Sequence, residues 1–182
     1  MDDETVIDAC CLINLCATGY VPEVLRSWGG RWYVPTAVLA ETLYLRMETE
    51  DGTIAPQQLV LTDLVDQAVL ISCTMEKAEE IGLYVDLATS LDDGEAMALA
   101  IAKARGWVLS TDDRKAQRIA GELGVALVTT PEILRRWVSK SSPTDQQIRE
   151  AINRIEQRAR FVPRTTDPLF DWWSAARGEV TG

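Results

Sequence analysis

Short, uninterrupted apolar runs alternate along this chain with longer stretches of helical texture, and that alternation limits the folds open to it. Residues 5–9, 31–34, 68–73, 107–110 and 125–128 each read as a strand. None shows the polar alternation of a sheet with one wet face. Strands that are apolar throughout belong to a parallel sheet covered by helices on both faces. Helical texture fills the gaps: 12–19, 22–28, 37–47 with Thr36 as its cap, 75–88 with an interruption near Gly82, a long helix through Arg105 that Leu91-Asp92-Asp93-Gly94-Glu95 leads into, 113–123 and 131–138. Residues 48–58 are polar and turn-rich and read as a surface loop. Hydrophobic content of 47% supports a sizeable core.

Beyond residue 138 the texture changes. Residues 140–145 read as a linker and 146–160 as a helix, with Ile148, Ile152 and Ile155 forming a narrow apolar stripe. A tail with Leu169, Phe170, Trp172 and Trp173 follows. The expected organisation is a domain over 1–138 and a helical extension over 139–182. That extension either offers a docking or dimer surface or folds back on its own domain.

The chemistry is bounded by what the chain lacks. It contains no histidine, so the commonest general base is missing, as is every Ser-His or Cys-His mechanism. Cys10, Cys11, Cys16 and Cys73 include no CxxC pair and suit neither a disulfide framework nor a zinc site. There is no GxGxxG after the first strand and no P-loop. No stretch approaches a membrane span. The N-terminus, Met1-Asp2-Asp3-Glu4, is acidic where a secretory signal would be basic, so a cytoplasmic protein is expected. Net charge is −10 but unevenly spread: residues 1–91 carry net −11, and residues 114–164 carry net +6. Such a division suits a protein that binds metal and polyanion together.

The remaining candidates are carboxylates. Asp8 closes the first strand, and Asp112 and Asp113 follow the strand at 107–110, so two strands deliver acids to one edge of the sheet. Ligands of open parallel sheets sit outside that edge. Glu41 is expected about two turns into the helix after the second strand. Glu95 is expected in the first turn of the next long helix, where Asp92 and Asp93 are equally suited to helix-end duty. Asp112 also suits an N-cap. Several carboxylates converging on one place need a counter-charge, and oxygen donors suit Mg²⁺ or Mn²⁺. Arg114, Lys115 and Arg118 follow the acids on a helix, spaced to share a face.

Four segments in order, VIDACCLINL (6–15), VPTAVLAET (34–42), LDDGEAMALAIAKARGW (91–107) and STDDRKAQRIA (110–120), resemble the PIN-domain family, which includes the VapC-type ribonuclease toxins. The resemblance implies a three-layer α/β/α fold with a central, mostly parallel sheet. It implies Mg²⁺ or Mn²⁺ dependence and cleavage of RNA phosphodiester bonds, with Asp8, Glu41, Glu95 and Asp113 catalytic. Asp8, Glu95 and Asp113 would hold the metal, with Asp112 as an additional ligand. Asn14 matches a family variant, and with Arg114, Lys115 and Arg118 is expected to contact substrate. A toxin of this kind implies a cognate antitoxin partner, and a homodimer fits the tail. The alternatives are a PIN-like module that binds protein or RNA without cutting, and a related DNA nuclease. Ala9 and Cys10 stand where many relatives carry Ser or Thr.

Overall fold

A computed structural model describes residues 4–41, 43–49 and 51–178. The acidic start at residues 1–3, Thr42, Glu50 and the last four residues lie outside the described set. In chain order the elements are β1 (Thr5–Ile7), α1 (Ala9–Thr18), α2 (Val21–Trp28), β2 (Trp32–Pro35), α3 (Thr36–Ala40), β3 (Tyr44–Glu48), β4 (Ile54–Gln58), α4 (Thr62–Asp66), β5 (Ile71–Cys73), α5 (Ala78–Leu87), α6 (Asp93–Arg105), β6 (Val108–Ser110), α7 (Arg114–Leu123), β7 (Leu127–Val128), α8 (Thr130–Ser141), α9 (Asp145–Arg154), a π-helical turn (Ile155–Ala159) and α10 (Phe170–Arg177).

The expected parallel sheet is present, with helices flanking it, as in the three-layer α/β/α class. Its order is β5-β2-β1-β6-β7, and every pairing is parallel. From β1 the chain steps outward to β2 and β5, then returns past β1 to lay down β6 and β7. The order therefore reverses between β1 and β6, where Ile7 sits in register with Ser110. Crevices for ligands open at the carboxyl ends of such a strand pair.

The chain divides into two compact units. The first comprises Met1–Leu12, Gly29–Thr42 and Val60–Thr130, and holds the sheet. Its core centres on α6, where Ala96 through Ala102 are all buried, and includes Val6, Leu87, Leu91 and Leu109. An alanine-rich helix can be enclosed on all sides because its small side chains let neighbours approach closely. Asp92 caps its start by accepting the Glu95 N–H at 2.8 Å, and Gly106 ends it at φ +69°, a left-handed geometry that glycine adopts without strain. A Cβ on Gly94 would lie 3.1 Å from Val38 Cγ2 and collide with Glu41 Oε1, so glycine lets the Glu41 carboxylate lie against the start of α6. In the same unit Glu80 is fully buried at the start of α5. It accepts Arg105 Nε at 2.6 Å and the backbone N–H groups of Glu76 and Lys77. These bonds hold its carboxyl down at about 2. α5 runs unbroken through Gly82, where an interruption was expected.

The second unit comprises Ile13–Trp28, Leu43–Leu59 and Pro131–Gly182. It corrects the largest misreading of the sequence. The helix expected over 37–47 stops at Ala40, and the polar loop expected over 48–58 contains a strand. β3 and β4 form an antiparallel hairpin with Tyr44 opposite Gln58 and Glu48 opposite Ile54. The turn explains this. Gly52 has φ +80°, and Asp51 Oδ1 accepts the hydroxyls of Thr49 and Thr53 and the Thr53 N–H. Asp-Gly flanked by hydroxyl residues is a strong hairpin turn. It outweighs the helix preference of Leu43–Met47.

The linker expected from residue 140 begins later, because α8 continues to Ser141. The helix expected over 146–160 is α9 followed by the π-helical turn. Within this unit the tail packs on α9. Trp173 is fully buried, its indole N–H donates to Glu156 Oε1 at 2.8 Å, and Phe161 meets it edge-on.

Candidate active site

The acids of the first unit stand at helix starts on the carboxyl edge of the sheet. Asp8 is the one residue between β1 and α1. Its N–H donates to Ser110 O at 3.1 Å, and Cys11 N–H donates to its Oδ1 at 2.9 Å, as at an N-cap. Its side chain is buried, with 1% exposure. Burial drives its carboxyl up to about 7, with the Asp112 charge adding to the rise. Hydrogen bonds from Thr111, Cys11 and Cys10 oppose it. Desolvation outweighs three donors because an ion loses its whole hydration shell on burial.

Asp113, and not Asp112, is the N-cap of α7. Its Oδ1 accepts Lys115 N–H at 2.8 Å and Ala116 N–H at 2.9 Å, and its own N–H donates to Thr111 Oγ1. Asp112 turns the other way. Oδ1 accepts Thr130 N–H at 2.9 Å and Oδ2 accepts the Thr130 hydroxyl, so this acid ties the end of β6 to the start of α8.

Glu95 lies in the first turn of α6, as expected. Burial, then the charges of Asp92 and Asp113, raise its carboxyl to about 7, and Lys115 offsets part of that rise. Glu41 is not inside a helix. It is the C-cap of α3, in extended conformation, with its carboxylate against Gly94. Partial desolvation and the charges of Asp92 and Asp93 raise it.

The acids thus come together as neighbouring groups: Asp8 with Asp112, Glu95 with Asp113 and Asp92, and Glu41 with Asp92 and Asp93. Among the described residues, no three acidic or cysteine side chains are already gathered at metal-ligand spacing. The donor chemistry still suits a hard cation. The donors are carboxylate oxygens, and those of Asp8, Glu41 and Glu95 have raised protonation through desolvation and the charges of neighbouring acids. A divalent cation relieves both effects.

A family model described as a PIN domain matches residues 4–166, which include every one of these acids. The chain belongs to the PIN-domain family. PIN domains are generally nucleases, hydrolases of phosphodiester bonds, and typically use divalent metals. No curated protein and no solved structure matches the chain. Among the described residues, no helix of this PIN domain is long and apolar enough to cross a membrane.

Three side chains of the PIN domain's site carry no charge and do not stand out as candidates in the sequence. The Cys10 thiol lies 3.1 Å from each Asp8 oxygen, and its sulfur accepts Asp112 N–H at 3.4 Å. Thr111 bonds Asp8 and also orients Asp113. Thr130 receives Asp112. The segment Ser110-Thr111-Asp112-Asp113 was the available signal, since a hydroxyl beside paired acids on a strand end supplies their donors.

Of the expected substrate contacts, Arg118 pairs with Glu122 at 2.6 Å and Lys115 Nζ donates to Ser90 O. Arg114 is exposed, and Asn14 is buried on α1. α7 therefore presents a partly self-satisfied basic face.

Proposed function

We propose that this PIN domain is a metal-dependent endoribonuclease and the toxin of a toxin–antitoxin pair. The observation that carries the chemistry is Asp8, a buried carboxylate at the strand-order reversal, held by Cys10, Cys11 and Thr111 beside a second acid. Capping α1 needs only a neutral acceptor such as asparagine, and a carboxylate buried among neutral donors is costly. Such costs concentrate at functional sites. The toxin role and the antitoxin partner rest on the resemblance of the four ordered segments.

Asp8, Glu95 and Asp113 would hold Mg²⁺ or Mn²⁺, with Asp112 adding negative charge beside Asp8. When bound there, the ion supplies a counter-charge for the acids and a Lewis acid for phosphoryl oxygen. Glu41, exposed at the end of α3, would complete the cluster or position the attacking water. Thr111 and Cys10 keep Asp8 in one orientation. The helix starts at α1, α6 and α7 favour negative charge at this edge.

RNA cleavage dependent on added Mn²⁺ and stopped by EDTA is the expected result, with Asp8→Asn at least about 100-fold slower, as for loss of an electrostatic catalytic group. Equal rates for Asp8→Asn and the parent would remove the site assignment. Parallel single-stranded DNA reports whether the 2′-hydroxyl is read.

The net charge of −10 favours one second reading, a PIN-like module that binds protein or RNA without cutting. Equilibrium titration separates the two: no Mg²⁺ or Mn²⁺ binding at millimolar concentration supports the binder.

A further inference from the structure

Residues that take no part in the acid site frame a cleft of about 570 Å³ in the second unit, between the end of α2 and the end of α8. That volume lies within the roughly 300–1,000 Å³ of ordinary ligand sites. Its lining is polar and cationic where α2 and α8 face each other. Arg26 and Ser27 come from α2, and Lys140, Ser141 and Ser142 from the end of α8, over a floor provided by buried Trp137. Glu23 is the one acid in the lining. Among the described residues neither Arg26 nor Lys140 makes an ion pair, and both are exposed.

Three further observations bear on the same place. Arg136, one residue before Trp137 and four before Lys140, holds its guanidinium 4.6 Å over the Trp28 ring. Its Nε is buried without a hydrogen-bond partner. Arg136 stands behind the lining, and its charge, four residues from Lys140 on α8, adds to the positive potential at the cleft. Ser142 has φ +47°, a left-handed conformation that strains a non-glycine residue. It places two consecutive serine hydroxyls at the cleft. Cations, hydroxyls and an aromatic floor, with a single opposing acid, are the chemistry of a phosphate-bearing ligand.

We propose that this cleft binds the phosphate backbone of single-stranded RNA, with Arg26 and Lys140 as its two phosphate contacts. The choice of RNA among phosphate-bearing ligands rests on the nuclease reading; the phosphate chemistry does not.

The test is fluorescence anisotropy with a labelled twelve-nucleotide uridine RNA in EDTA, so that no cation at the acid site recruits phosphate. Arg26→Ala with Lys140→Ala is expected to bind at least about 10-fold more weakly at low salt. Its plot of log affinity against log salt should be shallower by about 1.4, two contacts at roughly 0.7 each. Both side chains are exposed, so circular dichroism should be unchanged, and Arg26→Glu with Lys140→Glu should weaken binding further. A double variant with the parent's affinity and salt slope overturns the proposal. Displacement of the RNA by submillimolar inorganic phosphate or uridine monophosphate also overturns it, in favour of a small phosphate ligand. Failure of the parent to cleave RNA with Mn²⁺, while the cleft binds as expected, sinks the nuclease reading alone.

Discussion

The Cys10 thiol lies 3.1 Å from both carboxylate oxygens of Asp8, so a cysteine two residues along the chain is a hydrogen-bond donor to this acid. The same sulfur accepts the Asp112 N–H and thereby joins the ends of β1 and β6. Burial and the two neighbouring acid charges push the thiol well above its ordinary range, so it remains protonated and a donor.

Cys10→Ser should therefore preserve the site and Cys10→Ala should not. A hydroxyl still donates to Asp8, whereas a methyl removes the bond and leaves the carboxylate with one fewer partner. Mn²⁺ affinity by calorimetry is expected to fall about 10-fold in Cys10→Ala, the usual scale for groups that orient metal ligands. It should stay within about 2-fold in Cys10→Ser. Equal losses in both variants would deny the thiol an orienting role.

Asp8 sets a pH dependence of stability in the metal-free protein. Its folded carboxyl titrates near 7, against 3.8 when unshielded. The folded state therefore holds the proton more tightly, and the stabilisation is complete below about pH 4 and lost as pH rises through 7. At about 1.4 kcal/mol per unit, ionised Asp8 costs the fold on the order of 4 kcal/mol at pH 8. Asp8→Asn, which can still cap α1, should then melt higher than the parent at pH 8, by a margin that narrows at pH 5. Mg²⁺ should raise the parent's melting temperature more at pH 8 than at pH 5. A metal-free parent whose stability is flat between pH 5 and 8 would contradict this assignment.

Glu80 acts with the opposite sign and in a lower window. Its carboxyl is held at about 2 by Arg105 and two backbone N–H groups, against 4.5 unperturbed. Its contribution is present above about pH 4.5 and disappears as pH falls toward 2. Removing one partner of a buried pair strands the other, so Glu80→Ala should lose about 3 kcal/mol in urea unfolding at pH 7. Arg105→Met with Glu80→Met should lose less than either single change. Additive losses would show that the pair is not a coupled unit.

Gly94 is the closest approach of the Glu41 loop to α6. Gly94→Ala gains helix propensity, but its methyl displaces Glu41 and presses on Val38. Overpacking of this kind costs about 1–3 kcal/mol, so a net loss of stability is expected despite the better helix former. Cleavage should drop with it, because Glu41 is moved. A more stable Gly94→Ala variant would mean that Glu41 swings away freely.

Sequence pattern alone determined the parallel sheet and the strand-end positions of Asp8, Asp112 and Asp113, because uninterrupted apolar runs and turn residues are local signals of burial and direction. It also placed Glu95 in the first turn of α6, since Asp92 and Gly106 mark that helix's ends. The β3–β4 hairpin was hidden, because helix preference over Leu43–Met47 is a weak local energy and the Asp51–Gly52 turn with its threonine bonds outweighs it. Only the tertiary structure decided which aspartate caps α7, that Glu41 ends a helix instead of lying within one, and that Cys10 donates to Asp8. Each of these depends on what a side chain meets from another element: Asp112 finds Thr130, Glu41 finds Gly94, and Cys10 finds the end of β6. Desolvation is likewise a property of the packed fold. The sequence shows that Asp8 is an acid at the end of an apolar strand. Burial on all sides raises it to about 7 and makes it the most costly, and most informative, residue of the site.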